Sequence, residues 1–552
     1  MQDLFFSAIP YIIVLLCAGC FPLSIASIYF LLRNTPYPYG DACSLLITSL
    51  SFRSLLLWNN HYLVYWFEEN KHPAPADFGQ TLTCPNYSLF LFLMRLCSEE
   101  NRYEMTKKLN LFLLLCCAFI WTGNLYNTLD KVENTFVFIC ALLFFALIMS
   151  SMKMLTLAVF CLSDIVNFIL LGITVMLVQY ISMASNYFWP YIALGIIVGL
   201  GMRNRFQDFL ALLAVMLFLL GDHGVMWLVV GGIAFLMRMD IVLADFLGGN
   251  FFYNVRSLLN MCFKPFRVRR QNAAQSVQKE DRERSWLGIA RQGCLTILNP
   301  MAEDSLWRSV GIGLLLLPFS IYFLLHGNVP MGQYYVLLLY SIGLCCSGLF
   351  VRHVAFGGGM GIRETYYFGS RQFYILFLIV TFINCSAFVV LLDSAAMVPV
   401  FCYLIYFISF VIAQQRRLAG YKVSGVIYEP KFIRYPIKAY DWMVEQGQFL
   451  HSIGDSAVVL GSYLQFGNAT NFYHWKGRMK FIDLYYETSE SFMQFILIRH
   501  QVTHILVSPS CCFKKIIDKI IKGDGERNIF LEQIQTQSAG LSIYKVTSVK
   551  GL

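Results

Sequence analysis

The chain is poor in charge. Only 14% of its 552 residues are Asp, Glu, Lys or Arg, against about 25% in ordinary soluble domains. With 57% hydrophobic residues and a mean hydropathy of +0.58, that scarcity excludes a simple water-soluble globule and points to a polytopic membrane protein. No Cys-x-x-Cys pair stands near histidines at zinc spacing, which argues against a structural zinc site. The 17 cysteines lie mostly inside apolar runs such as Cys116–Cys117, Cys345–Cys346 and Cys402. They read as small buried hydrophobes, not as a disulfide framework. The first apolar run, Leu4 to Leu32, is too long for a signal core and ends in Leu-Leu-Arg, so it reads as a retained transmembrane helix. The net charge of +9 is spread over several loops, with no basic face interleaved with exposed aromatics. That argues against nucleic acid as a partner and for anionic lipid phosphates.

What is present is a succession of apolar runs. A spanning helix needs about 20 mostly apolar residues. By that measure spans are expected near 4–32, 109–126, 133–152, 165–184, 189–202, 206–221, 225–245, 309–326, 336–351, 375–392 and 397–413, about eleven in all. Two polar interruptions divide them. One covers 33–108, with helix-like stretches at Leu55–Trp58 and Leu89–Met94 that suggest interfacial helices roofing a cavity. The other, 253–307, is basic, with Lys264, Arg267, Arg269, Arg270, Lys279, Arg282 and Arg284. The expected organisation is a transmembrane domain over 1–413 and a small α/β domain over 414–552. In that tail Tyr440–Phe449, Ser491–Arg499 and Phe513–Ile521 read as helices, and Ala457–Leu460, His504–Val507 and Gly540–Val546 as strands. No Gly-rich phosphate loop follows any of these strands, so no nucleotide is expected there.

Two carboxylates stand out. Asp41 follows the first span within Arg33-Asn34-Thr35-Pro36-Tyr37-Pro38-Tyr39-Gly40-Asp41, and an acid at a bilayer edge is costly to desolvate and a functional-site candidate. Asp164 lies between two apolar runs, at their junction if 133–184 forms two helices, on the same side as Asp41. Such a pair could serve as a general base and an orienting or metal-holding partner. The bland reading is that Asp164 caps the N-terminus of the following helix. His223 beside Asp222 reads as part of a solvated turn, and Gly357–Gly361 as a flexible linker with Arg363 and Arg371 behind it. Tyr366 and Tyr367 read as interfacial aromatics.

The order of these features resembles the GT-C glycosyltransferases. Those lipid-phosphate-sugar-dependent enzymes include protein mannosyltransferases and the aminoarabinose and dolichol- or undecaprenyl-linked transferases. The first helix, the Arg, the Pro/Tyr/Gly turn and Asp41 are similar to the family's opening, although Ala42 stands where the family has its second acid. Cys84-Pro85-Asn86-Tyr87 is similar to a late first-loop Pro-Pro-Leu-Tyr element, with His72-Pro73 a looser echo. Leu162-Ser163-Asp164-Ile165 resembles the acid that opens the family's fourth helix, without its Arg. Arg371-Gln372-Phe373-Tyr374 resembles a late Arg-Tyr-Leu-Pro element. Thr503-His504-Ile505-Leu506-Val507 and Ile543-Tyr544-Lys545-Val546 are similar to the tails of bacterial members.

The resemblance implies a sugar donor carried on a polyprenyl phosphate and a lipid, glycan or protein acceptor. It implies inverting transfer with Asp41 as base and Asp164 as the second carboxylate. Arg371, Arg363, Arg267, Arg270, His72 and Tyr87 would then contact donor or phosphate, Arg being suited by its planar fork. A divalent cation is conceivable; a nucleotide is not expected. The implied location is a bacterial inner membrane with the first loop and tail outside. Counting positive charge alone would place those loops in the cytoplasm. Other readings are a surface-polysaccharide polymerase or ligase, and a transporter or non-catalytic scaffold.

Overall fold

The structure is a computed structural model, and it describes residues 2–35, 45, 62–65, 88–97, 102–129, 134–161, 163–183, 187–204, 214–216, 224–247, 310–327, 329–355, 372–394, 396–428, 434–436, 453, 456–461, 480–484, 489–507, 511, 513–523, 528–536 and 542–549. Its helices are α1 Gln2–Asn34, α2 Ser88–Arg95, α3 Arg102–Thr128, α4 Asn134–Ser150, α5 Met152–Val159, α6 Asp164–Met183 and α7 Trp189–Asn204. There follow α8 Met226–Leu247, α9 Gly313–His326, α10 Gly332–Ala355, α11 Gln372–Asp393, α12 Met397–Ser424, α13 Glu490–His500 and α14 Lys514–Lys522. The strands are β1 Tyr62–Tyr65, β2 Val426–Tyr428, β3 Arg434–Pro436, β4 Val458–Gly461, β5 Lys480–Leu484, β6 His504–Val507, β7 Ile529–Thr536 and β8 Ser542–Val549. The chain divides into two compact units. The first takes residues 1–35, 107–239 and 255–436, and the second takes 36–106, 240–254 and 437–552.

The first unit is a helical bundle. Five helices among the described residues are long and apolar enough to cross a membrane: 6–34, 102–128, 164–182, 374–393 and 397–424. The bent pair α4–α5 makes a sixth if it crosses as one span. The protein is thus a multi-span helical membrane protein carrying a C-terminal mixed-sheet domain. α11 is the enclosed helix: its membrane-length window is 94% buried, whereas that of α1 is 28% buried and exposes Tyr11, Leu15 and Phe21. An outer helix turns one face to lipid, and a helix apolar all round belongs at the centre. Phe382 of α11 meets Trp121 of α3, Phe144 of α4 and Tyr334 of α10 at ring separations of 5.6–6.0 Å. Polar contacts fasten the same helices, as is usual where hydrocarbon offers no competing partner. Asn384 donates to Gly313 O at 3.0 Å and accepts from Ser320 at 2.7 Å, tying α11 to α9. Gln333 of α10 donates to Thr128 of α3 at 2.8 Å.

The segment 133–184 forms three helices where two were expected. α4 and α5 meet at a 54° bend. The break falls at Ser151, whose extended backbone and side-chain oxygen cap the new helix, as N-cap serines do. Gln414 of α12 accepts from the backbone N–H of Met152 at 3.1 Å, which satisfies one of the donors a helix start leaves open.

The second unit is built on a six-stranded mixed sheet of order β1-β5-β4-β6-β8-β7. The first four strands run parallel, and β8 runs antiparallel to both of its neighbours, β6 and β7. The expected strands around 458, 504 and 542 and the helices around 491 and 514 are all present. β1 comes from the first polar loop and pairs with β5 in register, Leu63 opposite Ile482. On one face α13 and α14 close a core in which Met493, Ile496 and Ile517 meet Ile505 and Tyr544.

Candidate functional site

Of the candidate site residues singled out in the sequence, only Asp164 lies among the described ones. Asp41, His72, Tyr87, Arg267, Arg270, Arg363 and Arg371 lie outside them, as do Tyr440–Phe449, His223 and the 357–361 glycines.

Asp164 is the first residue of α6 and is fully buried. A carboxylate suits this position, because the helix dipole presents partial positive charge at the N-terminus. The link from α5 is conformationally demanding: Cys161 sits at φ +54°, a left-handed conformation rare for a residue other than Gly, Asn or Asp. Such backbone persists only where its surroundings fix it, and it clusters at functional sites. Here the surroundings are hydrogen bonds from two other helices. Asn110 of α3 donates to Ala158 O, the last turn of α5, at 3.2 Å. Asn204, which ends α7, donates to Ser163 O at 3.2 Å and to Asn167 Oδ1 at 2.7 Å. The amide of Asn204 therefore clamps the residue before Asp164 and a residue one turn beyond it.

The two helices that supply these amides also carry the buried cations Lys107 and Arg203. Lys107, one turn ahead of Asn110 on α3, is fully buried, and its ammonium donates to Thr35 O at 3.0 Å, just past the end of α1. Arg203 precedes Asn204 and is only 6% exposed. Hydrogen bonds thus tie α3 to the end of α1 and to α5, and α7 to the start of α6, inside a mostly apolar bundle. No group of three or more His, Cys, Asp or Glu able to hold a metal occurs among the described residues.

Lys107, Asn110, Arg203 and Asn204 were not anticipated from the sequence. Each sits where an apolar run begins or ends, and polar residues there read as flanks. The available signal was the pairing of Asn with Lys or Arg at the edges of two runs, 109–126 and 189–202.

No protein-family model matches the chain, and no curated protein does. Among solved structures it is similar to the oligosaccharyltransferase of Archaeoglobus fulgidus. Against the apo form the TM-score is 0.43 at 10% identity, covering 89% of this chain and 69% of that one. Against the same enzyme tethered through a disulfide bond to an acceptor peptide with the NVT sequon, the values are again 0.43 and 10%, covering 97% and 73%.

Proposed function

We propose that the protein is a membrane glycosyltransferase of the GT-C type, with about eleven crossings. It moves a sugar from a polyprenyl-phosphate donor to a lipid, glycan or protein acceptor at the outer face of the membrane. The observation that carries this reading is the fully buried Asp164 at a helix junction held by Asn110 of α3 and Asn204 of α7, two helices that also bury the cations Lys107 and Arg203. An acid and cations enclosed at the ends of membrane helices suit a substrate that is part sugar and part phosphate. The motif order around Asp41, Tyr87, Asp164 and Arg371 supports the same class.

In this reading Asp41 accepts the proton of the acceptor hydroxyl. The hydroxyl oxygen then attacks the anomeric carbon, the bond from that carbon to the phosphate oxygen breaks, and polyprenyl phosphate leaves. Asp164 orients the reacting groups, and Arg371, Arg363, Arg267, Arg270, His72 and Tyr87 contact donor and phosphate. The first loop and the tail lie outside the cytoplasm. A second reading has one observation in its favour. The 54° break between α4 and α5 is the kind of interruption that transporters use to place helix ends at a binding site.

The test is a deletion strain complemented with Asp41→Asn or Asp164→Asn and profiled for lipid-linked and surface glycans by mass spectrometry. Loss of a general base costs about 100-fold or more, so a glycan absent from the deletion strain stays absent with Asp41→Asn at equal membrane abundance. Full restoration by Asp41→Asn removes its catalytic assignment. An unchanged glycan profile in the deletion strain, with loss of solute uptake, would favour the transporter.

A further inference from the structure

The outward side of the helices that cover the second unit's sheet is basic. α14 reads Lys-Lys-Ile-Ile-Asp-Lys-Ile-Ile-Lys. Its Ile517 is buried and its Ile516 and Ile520 pack on the core, so the helix is bound to the sheet by one apolar stripe. The remainder is turned away: Lys515, Lys519 and Lys522 are exposed, with Ile521 among them at 47% exposure. α13, on the same core, exposes Arg499 beside Ile498. Every exposed charged side chain on the two helices is cationic, while Glu490 and Asp518 are half-buried. Aliphatic residues set among long cationic side chains are the composition of a helix lying in a membrane interface. Lysine stems then cover apolar surface while the ammonium reaches outward.

We infer that the outer face of α13 and α14 rests on a bilayer surface, with Lys515, Lys519, Lys522 and Arg499 against anionic lipid headgroups and Ile498 and Ile521 below them. Charge complementarity selects this occupant. The chain also enters this part of the sequence from α12, a membrane-length helix ending at Ser424, so a bilayer is covalently at hand. The inference does not depend on the sugar-transfer reading.

The full chain, reconstituted in nanodiscs of phosphatidylcholine or of phosphatidylcholine with phosphatidylglycerol, is acetylated at its amines and the modified lysines are quantified by mass spectrometry. Lys515, Lys519 and Lys522 react about five-fold more slowly in the anionic discs, and high salt removes the difference. Lys545, which alternates to the opposite side of β8 from the core residue Tyr544, is unaffected. In the variant Lys519→Glu/Lys522→Glu, the slowing at Lys515 disappears while amide exchange of β4 and β6 stays as in the parent. Equal reactivity in both lipids with the sheet intact overturns the inference. Slowing seen in native membranes but in neither type of disc also overturns it, in favour of a protein partner.

Discussion

His504 shows how one residue's setting makes a pH response. It starts β6, paired with Val459 on one side and Lys545 on the other. Its Nδ1 lies 2.9 Å from Thr503 Oγ1. Burial, and then the neighbouring Lys545 ammonium, hold its pKa below the usual 6.5. The folded chain therefore binds this proton less readily than the unfolded chain. Above about pH 6.5 the group is neutral in both states and has no effect. As pH falls through that value and on past the folded pKa, stability is lost. Amide exchange of β6 and β8 in the full chain, followed from about pH 7.5 to about pH 5, should accelerate more in the parent than in His504→Gln once the intrinsic exchange rate is divided out. Identical pH responses would mean that His504 is not the group responsible. At this scale the sequence made Asp164 conspicuous, because an acid between two apolar runs reads either as a helix cap or as a site residue, and it opens α6. The sequence hid Lys107 and Asn204, whose roles arise only when the ends of three helices meet.

At the scale of elements, α7 and α8 touch through glycine. Gly195 and Gly199 are one turn apart on α7. A Cβ at Gly195 would lie 2.8 Å from Ile233 Cβ and 3.0 Å from Val230 O; one at Gly199 would lie 2.6 Å from Met237 Cβ and 3.2 Å from Ala234 Cα. Backbone cannot retreat as a side-chain tip can, so this small-xxx-small pair fixes the helix separation. Gly199→Leu should lower the thermal unfolding temperature of the purified protein, by the few degrees that about 1–3 kcal/mol of overpacking brings. Under the proposed transferase function it should also reduce glycan transfer, since α7 carries Asn204 to the Asp164 junction. Gly123→Ala, whose Cβ would meet nothing within 4 Å, should leave both unchanged. An equal effect of the two substitutions would refute the close-contact account. Elements with a clean period were legible: β6 is a buried apolar run, and α14 alternates lysine and isoleucine at helical spacing. β7 was not, because register shifts after Phe530 and Gln533 break the two-residue alternation that marks a strand. β5, Lys480–Leu484, is five residues with a charge at the first and fourth positions, too short and too mixed to signal a buried parallel strand.

For the whole molecule, the pairing of β1 with β5 constrains membrane topology more tightly than any count of apolar runs. Tyr62–Tyr65 belongs to the loop after α1, and Lys480–Leu484 to the tail after α12. Two strands hydrogen-bonded along four residue pairs must share one side of the membrane. The chain between them therefore crosses an even number of times. Among the described residues, the four long apolar helices after α1 satisfy that. If the bent α4–α5 pair is counted as a fifth crossing, evenness requires at least one more, for which the shorter apolar helices 226–237 and 313–326 are candidates. No local window in the sequence could show this, since β1 is four residues long and its partner lies more than four hundred residues away. The expectation can be read in cells with paired reporters, one inserted in the loop between β1 and α2 and one fused after Leu552. Alkaline phosphatase is active only outside the cytoplasm and green fluorescent protein folds best inside it. Both positions should give the same answer in every fusion that keeps the protein intact, and for a transferase using an outward-facing lipid donor that answer is phosphatase-active. Opposite answers would dissolve the β1–β5 pairing. Matching cytoplasmic answers would keep the pairing but move the charged loops to the side that the excess of Lys and Arg favours, and with them the face at which any sugar is transferred.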